Sequence, residues 1–127
     1  MTSVAYLVGS FDLLHVGHLD VIAQALERSQ RLVVGVVDDE LVTRSTGRPP
    51  VVPLDERLAL VGHVRGVSEA VVHAVDRPRE LGADHVLVVA GDDVAAPAEA
   101  EKLAFRRQTS SATLLAALVR TQDREVA

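Results

Sequence analysis

The chain is 127 residues long with a formal net charge of −5, no cysteine, and Tyr6, Phe11 and Phe105 as its whole aromatic set. That length fits one domain, 1–127. The missing cysteines exclude disulfides, thiolate nucleophiles and cysteine-bound zinc or iron–sulfur centres, and the acidic balance with scarce aromatics excludes general nucleic-acid binding.

Val4–Val8 is an unbroken apolar run that stops at Gly9 and reads as a buried strand. From Gly17 the period changes, so that Leu19, Ile22, Ala23 and Leu26 share a helical face with Gln24, Glu27 and Arg28 opposite. Leu32–Val37 is a second strand ending at Asp38-Asp39, and the three pieces form a βαβ unit. Strands apolar on both faces imply a parallel sheet covered by helices. Asp39 to Pro53 reads as a long connection, because Thr46-Gly47-Arg48-Pro49-Pro50 suits neither a helix nor a central strand. Ordered connections of that length in small domains often serve function. Leu54–Val64 is the next helix, with Leu54, Leu58 and Val61 inward and Asp55-Glu56 favourably placed in its first turn. Ala70–Val75 and His85–Val89 are two further strands, joined by a short link through Pro78 and Leu81. Leu103–Phe105 reads as a short last strand and Ala112–Arg120 as a closing helix, whose apolar face is Leu114, Leu115, Leu118 and Val119. The tail from Thr121 is polar and expected to fray.

The alternation predicts an α/β fold, a Rossmann-like three-layer sandwich with a parallel sheet of about five strands. In such sheets ligands bind outside the carboxyl ends of the strands. Gly9, Asp38-Asp39 and Gly91-Asp92-Asp93 all fall at that edge. No apolar run reaches membrane-spanning length, and the N-terminus lacks a signal peptide's basic start and apolar stretch. A cytoplasmic protein without membrane contact is therefore expected.

The segment Gly9-Ser10-Phe11-Asp12-Leu13-Leu14-His15-Val16-Gly17-His18 concentrates the chemistry. Gly9 lets a ligand approach the backbone closely. His15 and His18, three apart at the start of a helix, share a face, and Gly17 keeps the entrance between them open. A helix N-terminus adds unpaired N–H groups and partial positive charge, which favour an anion. Together these make a triphosphate cradle. A pair of capping or surface histidines, or a metal site with Asp12 as third ligand, are the competing readings of the residues alone. A dinucleotide site is not among them, since Gly-x-Gly-x-x-Gly does not follow the first strand.

The whole string resembles the Gly-x-Phe-Asp-x-x-His-x-Gly-His signature of the cytidylyltransferase-like nucleotidyltransferases. Among these the chain is most similar to the small glycerol-3-phosphate cytidylyltransferases. The resemblance implies a HIGH-type nucleotidyltransferase fold. It makes His15 and His18 the catalytic ligands of a triphosphate and Asp12 an orienting residue or metal ligand. Gly9, Ser10, Phe11 and Gly17 would line the nucleotide. Arg44 and Arg48 stand where relatives carry basic residues reaching phosphates, and Arg57 matches an arginine that contacts the acceptor phosphate. Gly91-Asp92-Asp93 resembles a Gly-Asp-Asp turn whose carboxylates hold nucleotide hydroxyls or Mg²⁺, with Asp92 the metal candidate. Val94 stands where a tryptophan commonly follows. Arg106 to Thr113 resembles the family's Arg-Thr-x-Gly-Ile-Ser-Thr-Thr, with Arg106, Ser111 and Thr113 aligned on the nucleotide but without the glycine. A one-residue slip would instead select Arg107 and Ser110.

The implied reaction moves a nucleotidyl group from CTP to a small phosphorylated alcohol such as glycerol 3-phosphate and releases pyrophosphate. Mg²⁺ and a homodimer are expected by resemblance. The alternatives are adenylyl transfer from ATP to a sugar phosphate, pantetheine phosphate or flavin, and a non-catalytic nucleotide sensor that kept the fold. A metal-dependent hydrolase is a more distant reading.

Overall fold

The computed structural model describes residues 3–92 and 99–106. The expected closing helix Ala112–Arg120, the tail, and Asp93, Val94, Arg107, Ser110, Ser111 and Thr113 lie outside the described residues. Along the chain run β1 (Val4–Gly9), α1 (Val16–Leu26), β2 (Arg31–Val36), α2 (Asp39–Thr46), α3 (Leu54–Gly62), β3 (Val67–Val72), α4 (Arg77–Glu80), β4 (His85–Val89) and β5 (Glu101–Leu103). The strands form one sheet in the order β3-β2-β1-β4-β5, and every adjacent pair is parallel. The chain winds outward from β1 to β3 and then returns to the other side of β1. A crevice therefore opens where β1 and β4 lie side by side, in register from Ala5↔His85 to Val8↔Val88.

Alternate residues of the central strands feed two cores. Ala5, Leu7, Leu32, Val34 and Leu87 pack against Val21, Ile22 and Ala25 of α1 and Val61 of α3. Tyr6, Val8, Val33 and Val88 face the other way, under Leu41 and Val42 of α2 and Leu81 beyond α4. That arrangement is the expected three-layer α/β sandwich with five parallel strands. Each fully buried aliphatic side chain contributes about 1.5–3 kcal/mol.

Three boundaries differ from the expectations. The first half of the supposed connection Asp39 to Pro53 is helix α2. Its signals are local: the Asp38 carboxylate caps it by accepting from Leu41 N–H at 2.8 Å, Asp39 and Glu40 occupy its first turn, and left-handed Gly47 closes it. β3 begins three residues before Ala70. Its ladder to β2 is set by Val67 opposite Leu32 and Glu69 opposite Val33, with Glu69 3.7 Å from Arg31. It is an edge strand, so its apolar count is a poor guide, and Val75, assigned to it from sequence, is 77% exposed. β5 likewise ends at Leu103, leaving Phe105 past the strand. On α1, Gln24 is buried although it was placed on the polar face, and Leu19 is exposed although it was placed inward.

Gly35 in β2 is required by its neighbour. A Cβ at this position would lie 2.1 Å from the Tyr6 hydroxyl, which is fully buried and hydrogen-bonded to His73 Nδ1 at 2.8 Å. Burial raises the Tyr6 phenol to about 12, so the group stays protonated. Gly35→Ala is expected to lower unfolding free energy by about 2–3 kcal/mol through overpacking. Gly62→Ala serves as control, since its Cβ meets only Ala70 Cβ at 3.8 Å and should be neutral or stabilising in urea denaturation.

Candidate active site

β1 delivers its carboxyl end into a short, tightly bent segment before α1. Phe11 and Leu13 both have φ of 53°, a region that costs a non-glycine residue about 1–2 kcal/mol. The bend is held from both sides. Phe11 is buried beneath Gly9, where a Cβ would come within 2.9 Å of the Phe11 ring and of Val89, so Gly9 and Phe11 shape the floor. Asp12 lies between the two strained residues, and its carboxylate accepts the backbone N–H groups of Val51 at 2.8 Å and Val52 at 2.9 Å.

The two histidines form the start of α1. His15 is the N-cap, and its Nδ1 accepts from Gly17 N–H at 3.0 Å. His18 Nδ1 accepts in turn from His15 N–H at 3.2 Å, completing a reciprocal capping box built from imidazoles. A ring nitrogen that accepts cannot carry the proton, so both rings are Nε2–H tautomers when neutral. The rings stack with centroids 4.0 Å apart. His18 is only 3% exposed, and its pKa falls to about 4, through burial first and His15 second, with Asp12 opposing. Burial also lowers His15, whose Nε2 is buried without a protein partner. The pair therefore presents neutral N–H donors at neutral pH, one of them lining the cavity and the other awaiting an acceptor. Gly17 contributes the capped N–H.

A cavity of about 640 Å³ opens at the carboxyl ends of β1 and β4. Ser10, Asp12 and His18 form one wall, Ala90, Gly91 and Asp92 the second, and Phe105 closes it beyond β5. Val42, Ser45 and Thr46 of α2, together with Arg48, Pro49 and Pro50, also line it. Asp92 accepts from both Ser10 N–H at 3.2 Å and Ser10 Oγ–H at 3.0 Å, joining the tips of β1 and β4. Burial raises its pKa against those bonds.

The structure brings Ser10, Asp12, His18, Arg48, Gly91 and Asp92 to one cavity, and Gly9, Phe11, His15 and Gly17 belong to the β1–α1 segment that carries the first three. Three arginines stand elsewhere. Arg57 is 0% exposed: its Nε donates to Val52 O at 2.8 Å, its Nη1 to Ser10 O and Val37 O at 2.7 Å each, and its Nη2 pairs with Asp39. The expected contact with an acceptor phosphate is therefore corrected, because the guanidinium is enclosed and serves as a strut under the loops. Arg44 is exposed on α2 and pairs with Glu40 at 3.2 Å, outside the cavity wall. Arg106 donates to Asp20 through its backbone N–H at 2.8 Å and its Nε at 3.0 Å. Phe105 and Val42 of the wall were not singled out from sequence. Their only signal was apolar character, Val42 within the supposed connection and Phe105 at the end of the expected last strand.

Asp12 and Asp92 are the carboxylates at the cavity, and among the described residues no group of three or more His, Cys, Asp or Glu could hold a metal. Both Asp12 oxygens already hold the Val51–Val52 backbone. The donor set thus fits a cation that arrives with phosphate oxygens of its own, with Asp92 beside it, and not an all-protein cage.

The sequence model of the family described as cytidylyltransferase-like matches residues 6–122. The chain is 44% identical over 69 residues to ethanolamine-phosphate cytidylyltransferase of Arabidopsis thaliana, covering 54% of this chain and 16% of that protein. It is 39% identical over 64 residues to FAD synthase of Pyrococcus abyssi, covering 50% of this chain and 43% of that one. The matches thus span less than half the length of either relative. The lipopolysaccharide core biosynthesis protein of Thermoplasma volcanium shares the fold, with a TM-score of 0.64 at 21% identity over 96% of this chain and 90% of its own.

The strut role of Arg57 is testable without any ligand. Arg57→Ala removes the donor to three carbonyls and the cationic partner of Asp39, and is expected to cost about 3–5 kcal/mol in urea unfolding. A loss below about 1 kcal/mol would return Arg57 to the list of surface phosphate ligands.

Proposed function

The chain belongs to the cytidylyltransferase-like family, and on that premise we propose that it moves a nucleotidyl group from CTP to a small phosphorylated alcohol such as glycerol 3-phosphate, releasing pyrophosphate. The observation that carries this reading is the imidazole capping box at the start of α1, which sets His18 in the cavity wall with the His15 ring stacked against it.

In this reaction an acceptor phosphate oxygen forms a bond to the α-phosphorus as the bond from that phosphorus to the β-phosphate oxygen breaks in line. The acceptor is an anion at neutral pH and needs no general base. The barrier lies in bringing two anions together and in alignment. His15 and His18 donate through Nε2–H to the triphosphate oxygens, where charge grows as pyrophosphate departs. Being neutral before substrate arrives, they release no proton on binding, and their position is set by backbone. Ser10, Gly91 and Asp92 line the nucleotide side, joined by Ser111 and Thr113 in this reading. Arg48, which also lines the cavity, receives the acceptor phosphate. Mg²⁺ accompanying the triphosphate would neutralise phosphate charge when bound, with Asp92 as its protein neighbour.

Identity to ethanolamine-phosphate cytidylyltransferase and the Gly91-Asp92 turn support CTP and an alcohol phosphate. Identity to FAD synthase supports a second reading, adenylyl transfer from ATP. A pyrophosphate-release screen crossing CTP and ATP with phosphorylated alcohols, phosphorylated sugars and flavin mononucleotide separates them. The expected result is release with CTP and glycerol 3-phosphate, a fall of about 10²–10³ in kcat for His18→Ala, and a raised acceptor KM for Arg48→Met. Release with ATP alone would replace the base assignment. Nucleotide binding without release under every pairing would make the protein a sensor.

A further inference from the structure

Asp20 of α1 poses a problem for a purely structural reading. It is a carboxylate buried to 9% exposure in α1, a helix whose inward side also holds Val21, Ile22 and Ala25. Burying an ionised carboxylate is unfavourable unless it is fully hydrogen-bonded. Here it is: Oδ2 accepts from Gln24 Nε2 at 3.0 Å and from Arg106 N–H at 2.8 Å, and Oδ1 from Arg106 Nε at 3.0 Å. Burial would raise its pKa, but the bonds from Arg106 and Gln24 outweigh that and keep it ionised. Gln24 extends the same clamp, donating to Ala104 O at 2.9 Å. The two residues so held, Ala104 and Arg106, flank one side chain.

That side chain is Phe105. Its ring stands edge-on to both imidazoles, 5.4 Å from His15 at 89° and 5.7 Å from His18 at 82°. It also lines the cavity. On the opposite side His18 meets Phe11 at 5.4 Å. His18 thus meets two phenyl rings, one built into the β1 bend and one beyond the end of β5, and the second also meets His15.

We propose that Phe105 is a positioning residue for the imidazole pair, and that Asp20 and Gln24 act through it by clamping the backbone on either side. The phenyl ring excludes water from the imidazole faces and fixes the direction of their Nε2–H bonds. The inference rests on the reading of His15 and His18 as phosphate donors. It also explains why α1 spends buried polar groups on a segment with no strand pairing of its own. The ionisable groups around the pair are Asp12 in the bend, Asp92 at the end of β4, and Arg106 with Asp20 and Glu27 along α1. Arg106 and Asp20 neutralise each other, so removing the ring changes solvation more than charge.

The test is NMR titration of the two imidazoles in the free protein, which needs no nucleotide and stands apart from whether transfer occurs. In the parent protein His18 should titrate near 4. Phe105→Ala should raise that midpoint by about one unit or more, and Phe105→Leu, which keeps an apolar cover, should restore most of it. Gln24→Leu, which leaves the ring in the chain and the Arg106–Asp20 charges balanced, should move it the same way by less. Where transfer is measurable, Phe105→Ala should lower kcat by about tenfold or more with little change in acceptor KM. An unmoved midpoint in the folded Phe105→Ala protein would overturn the proposal. If that variant does not fold, an unmoved midpoint in Gln24→Leu would overturn it. Loss of pyrophosphate release in the parent, with the midpoints behaving as expected, would instead remove the proposed function and leave the clamp standing.

Discussion

The site depends on two backbone N–H groups, those of His15 and Gly17, that have no partner inside α1. Ordinary helices cap such groups with serine, threonine or aspartate. Here two imidazole Nδ1 atoms do it. The choice has consequences that a hydroxyl cap would lack. It sets the tautomer of both rings and places each Nε2–H away from the helix. It ties the rings to the backbone of the β1–α1 bend, so that their position follows from the sheet itself. Protonation of either ring at Nδ1 would compete with the cap, and burial pushes in the same direction by favouring the neutral form.

A second set of constraints holds the loops around that pair. Asp12 fastens the Val51–Val52 backbone to the bend, Arg57 bolts Ser10, Val37 and Val52 together from below, and Asp92 ties the end of β4 to Ser10. Each joins segments far apart in the chain. The charged residues nearest the histidines are therefore mostly committed to architecture. On the proposed reading, neutral donors and Arg48 face the ligand, an arrangement suited to anions whose charge is to be redistributed and not cancelled outright.

Sequence pattern was enough for much of this. β1, β2 and β4 were legible because central parallel strands are apolar on both faces, and the bend from Gly9 to His18 because its whole string resembles a family signature. α2 was missed although Asp38, Asp39-Glu40 and Gly47 supply its start, first turn and stop; the weak helix formers Thr43, Ser45 and Thr46 hid it. The extent of β3 was misplaced because an edge strand carries only a half-buried pattern. Arg57 could not have been assigned from sequence. Its partners are carbonyl oxygens, which every residue possesses, on three separate segments. Asp20 and Gln24 were invisible for the same reason, since one of their partners is the backbone beside Phe105.

Both imidazoles are hydrogen-bonded to backbone through Nδ1 and neutral at pH 7, which leaves the proton on Nε2. Long-range ¹H–¹⁵N correlation spectra of the imidazole nitrogens in the free protein at pH 7 read this directly. The expected result is the Nε2–H tautomer for His15 and for His18. An Nδ1–H tautomer at either residue, or an imidazolium at that pH, would contradict the account.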